Sequence, residues 1–268
     1  MVSKMKKSIN KNSRIDFLNF IVPIIFLAAW MILPTLLDTP KYLIPSLSTV
    51  VKGFIDFIFG SYELSTYSGS FFSNALASTY RVIVGFLIAG VLGVLMGILS
   101  GYYVYIKRLF DPFIHIIRMI PGIGWFPIAM VWFGVGNKTT IFLVALAAFF
   151  PIYVNTLRAV SDVDKNLINV GKILGASQNS IMKTIILPAS LSGIFSGLRL
   201  GMGVCWAYLV LGELTGVNEG LGAVMMDSRM LGNVDMIIVC MISIAFLGRI
   251  FDLILLGIFK LLRPSELR

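Results

Sequence analysis

Long apolar segments separated by short polar ones dominate this chain of 268 residues. A helix that crosses the hydrocarbon core of a bilayer needs about 20 mostly apolar residues. Six segments meet this criterion and are predicted to be membrane-spanning helices, at residues 17–37, 76–101, 109–133, 139–157, 188–211 and 236–259. The pattern therefore predicts an all-α, polytopic membrane protein with about six transmembrane helices.

The third apolar segment differs from the others because prolines and glycines interrupt it. Pro121, Gly122, Gly124 and Pro127 follow one another closely there. Non-helical backbone at membrane depth is tolerated only where it is buried in protein or lines a cavity. We therefore expect this segment to be kinked or broken and to border a pathway.

A mostly polar stretch at residues 38–75 separates the first two predicted spans. Within it, residues 46–59 place apolar side chains at helical spacing after Pro45. This spacing predicts an amphipathic helix that begins at Ser46. The pattern leaves two placements open, on the outer membrane surface or packed against the protein as a loop helix.

The lysines and arginines predict the orientation in the membrane. Six spans place both termini on one side, and that side carries Lys4, Lys6, Lys7, Lys11, Arg14, Lys107, Arg108, Arg158, Lys165, Lys172, Lys183, Lys260, Arg263 and Arg268. The other side carries Lys41, Lys52, Lys138 and Arg229. By the positive-inside rule, the basic N-terminus (1–16), the loop 158–187 and the tail (261–268) are cytoplasmic, and residues 38–75 are extracytoplasmic. Residues 76–260 form the membrane core.

Composition supports the membrane class over a nucleic-acid-binding protein. Hydrophobic residues make up 57% of the chain and charged residues 13%, with a net charge of +9. A basic balance can indicate phosphate binding. Here the positive residues cluster at the ends of apolar segments, as membrane topology requires. We therefore expect the lipid bilayer, and no nucleic acid, as a partner.

The chain contains no recognisable catalytic or metal-binding motif. A phosphate-binding loop needs a Gly-Lys pair that the run GVGNKTT (134–140) lacks, and neither a zinc-protease nor a nucleophile-elbow motif is present. Cys205 and Cys240 lie inside apolar segments without metal-ligand spacing, and His115 is the single histidine. We therefore expect no catalysis, no metal and no cofactor in this polypeptide.

Small residues recur at every fourth position in two of the predicted spans. They are Gly85, Ala89, Gly93, Gly97 and Gly101 in the second, and Gly193, Gly197 and Gly201 in the fifth. A helix face without side chains lets a neighbouring helix approach closely. The two stripes predict a tightly packed helix bundle.

Several charged side chains fall within or near the ends of the spans, namely Arg81, Arg118, Arg199, Arg249, His115 and Asp252. An arginine at the centre of a membrane helix costs about 2.5–3.5 kcal/mol on insertion scales, so each needs a partner or a wet cavity. Arg249 and Asp252 are three residues apart and can pair along their helix.

Five residues are candidates for a translocation path. His115 and Arg118 lie three apart beside the broken segment, where they can offer positive charge to an anion or hydrogen-bond a neighbouring span. Trp125 and Trp206 can line a gate or serve in packing. Glu213, near the outer end of the fifth span, can pair with a binding protein or with an outer arginine.

The polar segment between the fourth and fifth spans, at residues 165–188, reads KNLINVGKILGASQNSIMKTIILP. Its apolar residues fall near helical spacing, and Gly175 interrupts them. Ser177 can cap a second helix that begins near Gln178, and Pro188 suits the first turn of the fifth span. The segment predicts a helix–turn–helix; a plain amphipathic linker is the alternative.

The second half of this segment resembles a known signature. The spacing resembles the E-A-A-x3-G-x9-I-x-L-P motif of ABC importer permeases. Gly175 is followed after nine residues by Ile185, and after one more residue by Leu187-Pro188. Asn169, Val170 and Gly171 stand in place of E-A-A. Four further stretches resemble the branch of these permeases that imports nitrate, sulfonates and taurine. They are STYRVIVGF (78–86), FDPFIHIIRMIPGIGWFPIAMVWFGVGN (110–137), FFPIYVNTLRAV (149–160) and GLRLGMGVCW (197–206).

The resemblance implies a type I (MetI-like) importer permease in a bacterial plasma membrane. Two permease copies, as a homodimer or a heterodimer, would form the pore. Separate ATPase subunits would bind ATP and the cytoplasmic loops, and a binding protein would dock outside. The implied ATPase-coupling residues are Asn169, Val170, Gly171, Leu174, Gly175, Ala176, Ser177, Ser180, Leu187 and Pro188.

Two questions about transport stay open at this point. A secondary transporter that works alone is the alternative function, and it would need intramembrane carboxylates, of which Asp252 is the one candidate. The solute is expected to be small and polar or anionic, and Arg118 and His115 favour an oxyanion or a sulfonate.

Overall fold

The computed structural model describes residues 18–36, 43–63, 65–214 and 216–262. Within these ranges the chain is helical and contains no strand. The predicted all-α fold class is therefore confirmed. The predicted basic N-terminus and most of the predicted tail lie outside the described residues.

The α-helices are α1 (Leu18–Leu36), α2 (Leu47–Phe59), α3 (Phe71–Tyr102), α4 (Val104–Met119), α5 (Trp125–Phe133), α6 (Asn137–Ser161), α7 (Lys165–Ile173), α8 (Gln178–Ile181), α9 (Leu187–Glu213), α10 (Leu221–Met230) and α11 (Val234–Leu262). A 3₁₀ turn at Gly122–Gly124 precedes α5, and a π-helical turn at Met182–Ile186 joins α8 to α9.

Four described helical segments are long and apolar enough to cross a membrane, and a fifth is broken. The four are α3, α6, the continuous segment Gln178–Glu213 and α11. Helices α4 and α5 qualify only as a pair bent by 86°, either a broken span or a re-entrant loop. The apolar stretch Ile21–Ile32 of α1 is shorter than a span. The six predicted spans thus correspond to four or five in the described residues, and the predicted break in the third is confirmed.

Helix α6 lies at the centre of the bundle, between the two glycine stripes. A Cβ atom added to α3 at Gly85, Gly93, Gly97 or Gly101 would lie within 3 Å of an α6 side chain. The same holds on α9 for Gly193, Gly197 and Gly201. Both neighbours approach α6 closely because these positions carry no side chain. The predicted tight bundle is confirmed.

Helix α2 packs against the protein along one face. The side chain of Ser46 accepts a hydrogen bond from the Thr49 N–H and caps the helix, as the sequence predicts. Val50 and Phe57 are buried in a hydrophobic cluster with residues of α10 and α11. Of the two placements left open by the sequence, the structure shows the packed one for this face.

Helix α10 is an element that the hydrophobic pattern did not predict. It is short, at 10 residues, and it contains Asp227 and Arg229. Its buried residues Leu221 and Val224 belong to the same cluster as those of α2. The helix is stabilised by its neighbours, since an isolated helix this short is marginal in water.

Candidate functional sites

The segment that connects α6 to α9 forms the predicted helix–turn–helix. Helix α7 ends where Gly175 adopts a φ of 77°, and the Ala176 N–H bonds to the Gly171 carbonyl at 3.0 Å. This is the Schellman arrangement that glycine favours at a helix end. Ser177 then caps α8, its side chain accepting a hydrogen bond from the Ser180 N–H at 3.2 Å. The predicted turn and cap are confirmed.

Helix α7 is attached to the membrane helices along one side. Gly171 is buried, and a Cβ there would lie 2.8 Å from Ile185 Cδ1 of the π-helical turn. Ile168 packs on a cluster that includes Val160 of α6 and Ile181 of α8. The absence of a side chain at Gly171 therefore lets α7 lie directly on the helix that continues into the membrane.

The opposite side of α7 exposes an apolar surface. Leu167 and Val170 are each 52% exposed, Ile173 84% and Leu174 80%. We call these four residues the α7 patch. Exposed contiguous apolar surface usually marks a binding site for another protein or a membrane.

The predicted coupling residues divide into exposed and packed groups. Asn169, Val170, Leu174, Gly175 and Ser177 are exposed, and Ala176 and Ser180 are half-buried. Leu187 and Pro188 lie apart from the turn, beyond the π-helical turn, where α9 begins. As predicted, Pro188 lies in the first turn of α9. Helix α8, the π turn and α9 nevertheless form one continuous helical segment, in which the Leu187 N–H bonds to the Met182 carbonyl in the π pattern.

A cavity of about 310 Å³ lies where the broken segment meets α6 and α9. Its lining residues are Arg118, Ile120, Gly122, Trp125, Leu143, Leu146, Ala147, Phe150, Pro151, Val204 and Tyr208. Two of the predicted path residues, Arg118 and Trp125, therefore come together here. Arg118 has no hydrogen-bond or ion-pair partner among the described residues, and the buried Trp125 Nε1 also lacks one.

His115, which the sequence grouped with Arg118, does not line this cavity. Its Nε2 lies 3.5 Å from Asp111 Oδ1, one turn back along α4. Asp111 also accepts a hydrogen bond from the Tyr153 hydroxyl at 3.1 Å. His115 thus belongs to a separate contact between α4 and α6.

Trp206 is also separate from the cavity. It is 4% exposed and belongs to the main hydrophobic cluster formed by α3, α6 and α9. Its ring centroid lies 5.8 Å from that of Phe251 on α11. Of the two roles considered for Trp206, this placement supports packing.

Glu213 is buried at the end of α9 and pairs with an arginine of α3. Its carboxylate accepts hydrogen bonds from Arg81, from the Ser78 hydroxyl at 2.8 and 2.9 Å, and from the Gly222 N–H at 2.8 Å. The Arg81 Nε also donates to Asn137 Oδ1 at 2.7 Å. The partner arginine considered in the sequence is therefore Arg81, and Glu213 does not line the cavity.

Asp252 has two arginine partners. The predicted pair with Arg249 is present at 3.0 Å. Arg199 of α9 adds a two-pronged contact, at 2.7 Å and 3.0 Å. Sequence reasoning missed this second partner because Arg199 and Asp252 are distant in the chain. The available signal was Arg199 itself, a charged residue within a predicted span for which the sequence offers no neighbouring partner.

Most of the residues that line the cavity carry no signal in the sequence. Phe150, Val204 and Tyr208 have no feature that separates them from ordinary apolar span residues. Gly122 carries a weak signal in the sequence, since it is a glycine within the broken segment. In the structure, a Cβ atom at Gly122 would overlap the Tyr208 ring. A glycine in a broken segment can indicate that a large side chain from elsewhere lies against the backbone.

Comparisons with known proteins agree with this architecture. Residues 89–267 match the family model described as "Binding-protein-dependent transport system inner membrane component". The chain is 32% identical to the aliphatic sulfonates transport permease SsuC of Bacillus subtilis, covering 87% of this chain and 81% of that protein. It is 26% identical to the nitrate import permease NrtB of Synechococcus elongatus, covering 95% and 93%.

A solved structure shows the same fold. An inward-facing form of the MetNI methionine ABC transporter aligns with a TM-score of 0.56 at 19% identity, over 68% of this chain and 94% of the matched chain. The predicted MetI-like fold is confirmed. Because the family model covers more than half of the chain, this multi-pass membrane protein belongs to the binding-protein-dependent ABC importer permeases, the family that includes sulfonate and nitrate permeases.

Proposed function

We propose that this chain is the permease subunit of an ATP-driven importer that moves a small anionic solute, of the sulfonate or nitrate class, into the cytoplasm. The observation that carries the proposal is the α7 patch, an apolar surface on a short helix that is fastened to the membrane bundle. A separate ATPase subunit is the partner that such a surface fits.

The contacts of α7 explain how a displacement of this helix would be transmitted to the membrane helices. Helix α7 lies on Ile181 and Ile185, within or beside the π-helical turn. That turn is continuous with α9, so that Gln178–Glu213 forms one helical segment. A displacement of α7 by an ATPase would therefore move α9 against α6, across the close glycine contacts.

The remaining partners follow from the same proposal. ATP would be bound and hydrolysed in the ATPase subunits, and both termini and α7 would face the cytoplasm. A solute-binding protein would dock at the other end of the bundle. A second permease copy, most simply of this same chain, would complete the pore.

The cavity at the broken segment supports an anionic solute. It places the unpaired guanidinium of Arg118 beside the interruption between α4 and α5. Relatives named for sulfonate and for nitrate carry anions, which an arginine can bind. The path would run beside this interruption.

The stand-alone secondary transporter is disfavoured by the surroundings of Asp252. Its carboxylate is engaged by Arg199 and Arg249, at distances of 2.7 to 3.0 Å. An opposite charge at that distance stabilises the ionised form. A carboxylate held this way is poorly suited to take up and release a coupling proton.

Reconstitution tests the proposal. The permease is co-expressed with the ATPase and binding protein from neighbouring genes, and uptake of labelled ethanesulfonate and nitrate into proteoliposomes is measured with and without ATP. Ile173→Glu in the α7 patch should abolish co-purification with the ATPase, whereas Asn166→Glu, an exposed α7 position outside the patch, should not. ATP-independent uptake by the permease alone would instead establish the secondary transporter.

A further inference from the structure

We propose that the cavity lined by Arg118, Trp125, Phe150 and Tyr208 selects an organic anion with a short apolar tail over a bare inorganic oxyanion. This inference rests on the proposed function, and it adds the location and the chemistry of solute selection within the permease itself. Neither the family match nor the names of the relatives locates a solute site in this chain.

The cavity presents a positive charge. Arg118 lies in the last turn of α4 and has no hydrogen-bond or ion-pair partner among the described residues. Guanidinium carries five N–H donors in a planar fork that matches the oxygens of carboxylate, phosphate or sulfonate groups. Arg81 and Arg199 are each paired with a carboxylate, whereas the Arg118 guanidinium is available to hold an anion in this cavity.

The cavity also contains a second hydrogen-bond donor without a partner among the described residues. Trp125 lines the same cavity, and its Nε1 is buried with no hydrogen bond. Buried polar groups are normally paired, so an unpaired donor that faces a cavity is available to a ligand there. An anion at Arg118 with more than one oxygen could accept a hydrogen bond from this indole as well.

The walls of the cavity are mostly apolar. Apart from the Arg118 guanidinium, the Trp125 N–H and the Tyr208 hydroxyl, the cavity is lined by aliphatic and aromatic groups, with Leu143, Leu146 and Val204 on the α6 and α9 sides. Burying one methylene of a ligand against such walls strengthens binding by about fourfold. Nitrate has no apolar part and would leave these walls uncovered, whereas an alkanesulfonate presents an anionic head to Arg118 and a tail to the walls.

The size of the cavity limits that tail. A volume of about 310 Å³ is at the lower end of the range for small-molecule sites, roughly 300–1,000 Å³. Tyr208 bounds it on the side of the break, where its ring lies against Gly122. We expect a chain of a few carbons to fit and a long one to be excluded.

Direct binding to the permease tests this inference, because uptake alone would also report the choice made by the binding protein. The permease–ATPase complex is placed in lipid nanodiscs without binding protein and titrated calorimetrically with nitrate, methanesulfonate and butanesulfonate. We expect the affinity to rise from methanesulfonate to butanesulfonate by more than tenfold, and nitrate to bind most weakly. Equal affinities, or tightest binding of nitrate, would overturn the inference.

Three variants assign the binding to this cavity. Arg118→Gln should weaken both sulfonates by about tenfold or more, since a charge-assisted hydrogen bond is lost. Ala147→Leu should reduce the advantage of butanesulfonate by filling the space for the tail, with Arg118 intact. Arg249→Gln removes an arginine that lies outside the cavity and should change neither affinity. Size-exclusion profiles and thermal unfolding verify that each complex is assembled.

The outcome separates this inference from the proposed function. If the wild-type complex imports with ATP and Arg118→Gln and Ala147→Leu leave the solute affinities unchanged, the importer stands and the cavity is not its selectivity site. If the wild-type complex imports nothing with ATP, the proposed function fails, and this inference fails with it.

Discussion

Arg81 and Glu213 form a buried ion pair that joins α3 to the last residue of α9. Their side chains are 5% and 0% exposed. The same carboxylate accepts a hydrogen bond from the Gly222 N–H in the first turn of α10. One acidic group therefore ties three helices together, at the end of α9 farthest from α7.

Removing the charge of Glu213 should destabilise the protein strongly. Glu213→Gln leaves the Arg81 guanidinium buried without a counter-charge, and breaking one partner of a buried pair typically costs about 3–5 kcal/mol. We expect a lower thermal unfolding midpoint and a lower yield of purified protein in detergent. Arg249→Gln, at a side chain that is 66% exposed, serves as control and should have a much smaller effect. Equal losses in both variants would contradict the assigned role.

Two glycines of α9 should respond differently to the same substitution. A Cβ at Gly201 would lie 2.7 Å from Ile152 Cγ1 of α6, whereas at Gly203 it would meet no described atom within 4 Å. Overpacking costs about 1–3 kcal/mol, while alanine in place of an unconstrained helical glycine gains about 0.5–1 kcal/mol. Gly201→Ala should therefore lower the thermal midpoint, and Gly203→Ala should leave it unchanged or raise it. A decrease of similar size in both would show that the glycine contacts do not limit packing.

Gly175 should be critical for coupling but not for insertion. Its φ of 77° would strain any residue with a side chain at this position, although no described atom lies within 4 Å of a Cβ built there. Gly175→Trp adds bulk to the exposed turn, and we expect ATP-driven uptake to fall at least tenfold with normal amounts in the membrane. Gly175→Asn is the matched control, because asparagine tolerates this backbone region. Normal uptake by Gly175→Trp at normal expression would remove the coupling assignment.

The contact between Tyr67 and Asp227 should make stability depend on alkaline pH. The Tyr67 hydroxyl donates to Asp227 Oδ2 at 2.5 Å, and this hydrogen bond raises the pKa of Tyr67 from 10.0 to about 12. The unfolded chain loses the Tyr67 proton at lower pH than the folded chain. The contribution of this hydrogen bond to the free energy of unfolding is therefore complete below pH 10 and is lost as the pH rises towards 12.

A comparison of wild type with Tyr67→Phe measures this effect. The wild-type protein should be the more stable of the two at pH 8, and the difference in thermal midpoint should shrink as the pH rises above 10. Absorbance difference spectra of the two proteins follow tyrosinate formation independently. A stability difference that stays constant up to pH 11 would show that the contact does not shift the pKa of Tyr67.

Features that depend on residues close together in the chain were predictable. The break around Gly122 follows from clustered prolines and glycines, and the turn at Gly175 follows from a glycine between two amphipathic stretches. The Ser177 cap also needs only its own neighbours. In each case the backbone conformation or hydrogen bond involves residues at most a few positions apart.

Features that depend on distant helices meeting were not predictable. Asp252 was assigned its neighbour Arg249 and not Arg199, which lies 53 residues away. Helix α10 was missed because its stability comes from burial against α2 and α11 rather than from its own sequence. The sequence also does not show that Trp206 is buried, because its burial depends on α3, α6 and α9 packing together.

By itself, the sequence determined which segments are apolar helices, where they break, and which surfaces are smooth enough to pack closely. These properties follow from hydropathy, backbone preferences and the absence of side chains at glycine, all of which are local. Only the tertiary structure decided which charges are paired, and hence that Arg118 remains free beside an apolar cavity while Arg81, Arg199 and Glu213 are bound. An ion pair or a cavity is a relationship between surfaces from several helices, so it exists only once those helices are assembled.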